Sequence, residues 1–394
     1  MGTTVPPDPT YATRVDDYGV ALTDGIWQQD WLTLLDQATV IDRLYATPQW
    51  ATHQARTGTP VKVMSIFHAN GSLAGLCSMR QGSFDLRFTL KQTALWTRKF
   101  RADRVMGMLL PSGDGACDHL FAALRRDGMS CSDCIYFETV SRDSNLLAYL
   151  RRSEEIRRNW ICYAPNPFAR SHYIQLPSSF DAYLKKFSSK SRGNLKREVR
   201  LLRERGAGAL ELVRVESAEQ VAPFLESARA ISRNSWQKKF LDMPITSHEP
   251  DTGERLLKDM ATQGWLRSYV LKCGPKPCAF AFGYQARGVY HFCETAYDEA
   301  FAKLSPGKAL VYLAIEDLIK VNKPDTFYFG QGDMSYKEWF GNAGKEDTNI
   351  VLFKNTMRQR AWWRNHRAFS WLLRSVRASA RWLARAAHRG KRVS

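Results

Sequence analysis

Apolar residues along this chain fall into two rhythms, strand-like runs or alternations and helix-like stripes, and these follow one another in a set order. In the second half, strands are predicted at residues 266–273, 278–285 and 289–296, joined by Gly274-Pro275-Lys276-Pro277 and by Ala286-Arg287-Gly288. Ser305-Pro306-Gly307-Lys308 then opens a helix with the stripe Val311, Ile315, Leu318 and Ile319, and a short strand follows at 327–330. Upstream, residues 190–202 carry Leu195, Val199 and Leu202 on one helical face. Residues 210–215 read as a strand, and Ser217-x-x-Gln220 as a capping box before the stripe Val221, Phe224, Leu225, Ala228, Ile231. Residues 254–263 continue as helix, and Ser178-x-x-Asp181 looks like an N-cap pair before another.

The first half has the same alternation of types. Helices are predicted at 27–35 and 44–55, the second entered at Thr47-Pro48. Residues 61–68, Asn70-Gly71 and 73–79 make a strand, turn, strand pattern. Further strands are expected at 88–96, 106–110 and 135–140, with helices at 117–126 and 144–151. The loop Pro111-Ser112-Gly113-Asp114-Gly115 is either a plain connection or a phosphate cradle. Pro165, Pro167 and Pro177 punctuate 163–177, the natural boundary between halves. The expected division is 1–164, 165–355 and a tail at 356–394, in a mixed α/β (α+β) architecture.

Charge changes the picture at one end. The net charge is +18, and residues 354–394 hold twelve Lys or Arg with no Asp or Glu. The tail also holds Trp362, Trp363, Phe369, Trp371, Leu372 and Trp382, which reads as a basic amphipathic helix suited to an anionic membrane surface. Nucleic acid and a protein partner are the other readings of the same charges. The eight cysteines have no disulfide spacing; Cys131-Ser132-Asp133-Cys134 reads as buried thiols, so no metal is expected. The opening residues have no basic segment before an apolar core, and no run is long enough to span a bilayer, so a cytoplasmic chain is expected.

Candidate chemistry gathers in the second half. The turn Ser305-Pro306-Gly307-Lys308 combines an N-cap residue, proline at the first helical position, a small residue and a cation, a combination suited to phosphate. In the strand before it, Tyr290, Phe292 and Glu294 alternate with His291, Cys293 and Thr295, and Glu294 or His291 is a candidate base. Asp333, Tyr336 and Lys337 follow a glycine-rich strand end, where side chains commonly face a cleft. The basic helical face at 190–202 is either solvated or a funnel for a phosphorylated ligand, and the basic region 185–205 would suit tRNA.

The Ser-Lys-Ser-Arg segment, the three-strand meander, Ser305-Pro306-Gly307 and Phe329-Gly330-Gln331-Gly332-Asp333 before Tyr336-Lys337 together resemble the GNAT-superfamily acyltransferases of polysaccharide and cellulose biosynthesis, related to the Fem-type aminoacyltransferases. The resemblance implies two GNAT-like mixed-sheet halves in tandem and an acyl-CoA, such as acetyl-CoA, as co-substrate. It implies that Ser305, Gly307 and Lys308 hold the carrier, that Asp333 and Lys337 stand at the reaction or acceptor site, and that Tyr336 protonates the leaving sulfur. The usual Arg/Gln-x-x-Gly-x-Gly/Ala signature is absent, and Ser305-Pro306-Gly307-Lys308 stands in its place. The implied activity is acyl transfer to an amine or hydroxyl of a sugar, glycolipid or polysaccharide precursor. Aminoacyl transfer from charged tRNA and a non-catalytic scaffold binding through the tail are the alternatives.

Overall fold

The computed structural model describes residues 11–17, 25–37, 45–56, 60–90, 93–128, 132–235, 250–330, 332 and 334–390. In chain order the elements begin with β1 (Tyr11–Asp17), α1 (Gly25–Gln37), α2 (Pro48–Arg56), β2 (Val61–His68), β3 (Leu73–Leu90), β4 (Thr93–Leu109) and α3 (Asp114–Ala123). β5 (Cys134–Ser141), α4 (Asn145–Arg152), α5 (Glu154–Asn159), β6 (Trp160–Tyr163), β7 (Ala169–Gln175), α6 (Phe180–Leu184) and α7 (Ser189–Arg205) follow. Then come β8 (Leu210–Val215), α8 (Val221–Arg233), α9 (Pro250–Thr262), β9 (Ser268–Cys273), β10 (Lys276–Ala286) and β11 (Val289–Tyr297). The last are α10 (Pro306–Lys320), β12 (Thr326–Tyr328), α11 (Ser335–Phe340), β13 (Ala343–Lys354) and α12 (Met357–Gly390).

The chain divides into two units that are not successive stretches. The described residues up to Phe168 join Asp347 onward in unit 1, while unit 2 is Ala169–Glu346. The final helix, expected as a separate tail, is thus grouped with the first unit.

In unit 1, β1 to β4 form an antiparallel meander, β4 runs parallel to β5, and β13 pairs antiparallel with both β5 and β6. Its longest feature corrects the expected strand at 88–96. That stretch is divided between the end of β3 and the start of β4, which pair from Leu76 with Leu109 out to Leu90 with Thr93. Phe84, Leu86, Phe88, Phe100 and Ala102 keep a period-two apolar face through an otherwise polar sequence and cover Val351 and Phe353. Trp362, Trp363 and Phe369 of α12 pack on the same cluster, so the start of the final helix belongs to this core. Cys134 lies buried in β5; Cys131 is outside the described residues.

In unit 2, β8 to β11 form an antiparallel meander, β12 lies parallel to β11, and β7 is antiparallel to β12. The stripe of α10 and Leu195 and Leu202 of α7 bury one face of this sheet in a single cluster with Tyr183, Tyr290 and Phe292. α8 covers the other face, where Phe224 meets Phe280 edge-on at 6.1 Å. The cap before α6 falls one residue later than expected, on Ser179, which accepts from the Ala182 N–H at 3.1 Å. The capping box at Ser217 and Gln220 is present as read.

One buried cation sets the pose of α10. Arg267, only 2% exposed, meets Asp317 at 3.1 Å, donates to the Val321 carbonyl at 2.7 Å, and meets the Tyr269 hydroxyl at 3.0 Å. Arg214 adds a second ion pair to Asp317. Arginine at the carbonyl end of the helix both pairs the carboxylate and satisfies the orphan acceptors there. The opposite end of α10, which carries Ser305–Lys308, is held in place accordingly.

Candidate active site

β11 and β12 pair for only three residues, Val289 with Thr326, Tyr290 with Phe327 and His291 with Tyr328, and then part. Beyond that point β11 is irregular on its other edge too. Phe282 of β10 stands opposite Glu294 and Gly283 opposite Phe292, so Cys293 is left over as a β-bulge. The bulge needs Gly283: a Cβ there would lie 2.2 Å from the Tyr290 hydroxyl oxygen and 2.8 Å from the His291 carbonyl. Cys293 is exposed at the mouth of the parted strands.

The bulge corrects the simple alternation read from sequence. Because one residue is skipped, Glu294 shares a face with Phe282, and hence with His291 opposite Tyr284, instead of following Tyr290 and Phe292 toward α10. His291 is buried, stacked on Tyr284 at 4.6 Å and edge-on to Tyr328 at 5.7 Å. Burial, with Lys345 adding repulsion, pushes its pKa down to about 3. A neutral imidazole so reluctant to take a proton is a weak general base. Glu294 is also buried, at 7% exposure.

α11 brings the other residues to the opening. Lys337 is buried, and its ammonium donates to the Gly330 carbonyl at 3.4 Å. Desolvation lowers its pKa to about 8, partly offset by the Cys293 sulfur. Tyr336 is half-buried, edge-on to Phe329 at 6.0 Å, and desolvation raises its phenol well above the ordinary value, so it stays protonated at neutral pH. Lys186 braces the far end of α11 by donating to the Trp339 carbonyl at 2.7 Å. Asp333 lies outside the described residues.

The turn before α10 is open to solvent, with Ser305 and Gly307 half-buried and Lys308 exposed. Pro306 stands at the first helical position, as expected. Ser305 occupies the N-cap position, but its hydroxyl makes no cap bond, and this corrects the expected role. Its backbone is left-handed, at φ 53° and ψ 48°, where a cap requires extended geometry. The Ser305 carbonyl still accepts from the N–H groups of Lys308 and Ala309, at 3.1 and 3.2 Å. Lys308 lies 3.9 Å from Glu198 of α7 and 5.7 Å from the Trp339 ring centre.

Lys308 reaches Trp339, so the turn before α10 and α11 adjoin. Sequence reasoning named Ser305, Gly307, Lys308, Tyr336 and Lys337, which stand on these two pieces. It gave Cys293 no role and did not name Gly283, Glu198 or Trp339; a bulge leaves no local signature beyond one strand glycine. Among the described residues no group of three or more His, Cys, Asp or Glu is placed to hold a metal ion.

Residues 189–338 match the family described as "Acetyltransferase (GNAT) domain", a range lying within unit 2. A search of curated proteins finds no match. Among solved structures the chain is similar to FemX, with 11% identity and a TM-score of 0.58 over 83% of this chain and 96% of that one. It is also similar to the tandem GNAT protein from the clavulanic acid biosynthesis pathway, at 10% identity and a TM-score of 0.50 over 86% and 98% of the two chains. A protein of unknown function from Bacteroides thetaiotaomicron gives 10% and 0.51 over 83% and 97%. These likenesses establish a mixed α/β fold of tandem GNAT type, and with the domain match they mark a GNAT-type transferase fold.

Proposed function

We propose that unit 2 transfers an acyl group from a CoA thioester to an amine or hydroxyl of a sugar, glycolipid or polysaccharide precursor. The observation that carries this reading is the three-residue pairing of β11 with β12, followed by parting at a bulge beside an uncapped helix start. Parted strands leave edge N–H and C=O groups able to pair with an extended ligand that bears amides. The helix start, with Lys308, favours phosphate. An acyl-CoA has both features, an amide-bearing arm and a pyrophosphate.

In the proposed reaction the acceptor nitrogen or oxygen attacks the thioester carbonyl. Its proton passes to Lys337, whose pKa near 8 suits a base at neutral pH. The carbon–sulfur bond breaks, and the departing thiolate takes the Tyr336 proton. Asp333 is assigned to the acceptor side. Glu294 is the alternative base. The basic final helix is read as a peripheral anchor on an anionic membrane.

The exposed cations of α7, Lys190, Lys196, Arg197, Arg200 and Arg203, favour a second reading in which the donor is an aminoacyl-tRNA. Lys308 and Glu198 bring this helix beside the turn. Thermal-shift titration of the full chain with acetyl-CoA and with charged tRNA separates the two. Stabilisation by micromolar acetyl-CoA, about 3 kcal/mol at a hundredfold excess over Kd, is expected. Stabilisation by charged tRNA alone would replace the first reading with the second.

A further inference from the structure

The start of α12 does more than fill a core. Trp362 lies 4.8 Å from Trp96 near the start of β4, and Phe369 is 5.2 Å from Phe88 near the end of β3. His366 donates from Nε2 to the Arg87 carbonyl at 3.1 Å and accepts at Nδ1 from the Tyr163 hydroxyl at 2.6 Å. Helix and hairpin therefore present one surface. Around Trp363 three depressions of about 600, 390 and 640 Å³ adjoin, and Trp363 lines all of them. Their charged lining residues are Arg87, Arg157, Arg360, Arg364 and Arg367; just outside the lining, Asp85 pairs with Arg87 at 3.4 Å and Glu154 with Arg157 at 3.8 Å.

Large apolar side chains stand exposed on the same two elements. On the hairpin Leu90, Leu95 and Trp96 are 45%, 59% and 45% exposed, and on the helix Trp371 and Leu372 are 65% and 55% exposed. Single exposed apolar residues are ordinary, but a set of them on two packed elements marks a contact surface. A face with this excess of arginine opposes a second copy of itself. Nucleic acid would use the arginines and leave Leu90, Leu95 and Leu372 without a role. An excess of arginine beside tryptophan and leucine suits a phosphate layer over hydrocarbon.

We propose that this face of unit 1, made jointly by the first half of α12 and the paired ends of β3 and β4 at Leu90, Leu95 and Trp96, docks on a leaflet rich in anionic phospholipid. The arginines around Trp363 take lipid phosphates, and Leu90, Leu95, Trp371 and Leu372 enter the acyl boundary. The proposal rests on the membrane reading of the final helix and adds the hairpin to it; it does not depend on the chemistry of unit 2.

Co-sedimentation of the full chain with phosphatidylcholine vesicles, with and without about a third phosphatidylglycerol, tests it. The unaltered chain is expected to favour the anionic vesicles at least tenfold. Arg364→Gln with Arg367→Gln should weaken that binding about thirtyfold. Leu90→Asp with Leu95→Asp should weaken it about tenfold or more. Both doublets alter exposed side chains, and an unchanged melting temperature checks the fold. If the arginine variant loses binding and the hairpin variant keeps it, the joint surface is refuted while the helix reading stands. If the unaltered chain shows no preference for anionic vesicles, both fall. Tighter binding to an RNA oligonucleotide than to vesicles, or self-association removed by Leu95→Asp, would also overturn the proposal.

Discussion

Lys337 and Gly307 show how single residues acquire meaning from their surroundings. Lysine in a short amphipathic helix is ordinarily solvated, yet Lys337 is buried beside a carbonyl and titrates near 8. It is cationic below that pH and neutral above it, so a base role predicts a rate that rises with pH through about 8. Lys337→Ala should remove that limb and lower kcat by about a hundredfold or more, with the KM for acyl-CoA little changed. A pH–rate profile of the variant that keeps the limb would assign it to another group. Gly307 tells the opposite story, because its backbone does not demand glycine: a Cβ would meet only the Tyr297 ring, at 3.4 Å. Gly307→Ala should therefore leave the melting temperature nearly unchanged while raising the KM for acyl-CoA several-fold, if a phosphate approaches the backbone there. Steady-state kinetics and calorimetry on the same sample decide it.

At the scale of elements, the bulge in β11 is the decisive feature. The meander, its turns and the helix that follows were legible, because their apolar periods and Gly-Pro punctuation are local. The skipped residue was not, since Cys293 is extra only with respect to Phe282 and Gly283 across the ladder. That one step moves Glu294 to the other face. Restoring a side chain at Gly283 should be costly: Gly283→Val is expected to destabilise the protein by about 3 kcal/mol or more, read as a lower urea midpoint. The long β3–β4 hairpin was misjudged for a related reason. Its polar residues look like a loop, whereas Phe84, Leu86, Phe88 and Phe100 find their cover in β13 and α12, hundreds of positions away.

For the whole molecule, the final helix changes status most. A tail defined by charge alone would be removable, but Trp362 and Phe369, half-buried, pack against the core of unit 1. Trp362→Ala with Phe369→Ala should lower stability by about 2–4 kcal/mol, measured by chemical denaturation. Stability unchanged in that variant would return the helix to the status of an appendage. The side chains of 376–390, Trp382 among them, lie outside the described residues. No helix among the described residues is long and apolar enough to cross a membrane.

The amino-acid order alone determined the succession of strands and helices, the helix start at Pro306 and the concentration of charge at one end. These depend on periods, caps and composition, all of which act within a few residues. Only the tertiary structure decided which unit the last helix joins, where β11 parts from β12, and that Lys337 is desolvated while His291 is walled in by two tyrosines. Those outcomes come from pairing register and burial, which are set by residues distant in the chain and brought together only when the sheets close.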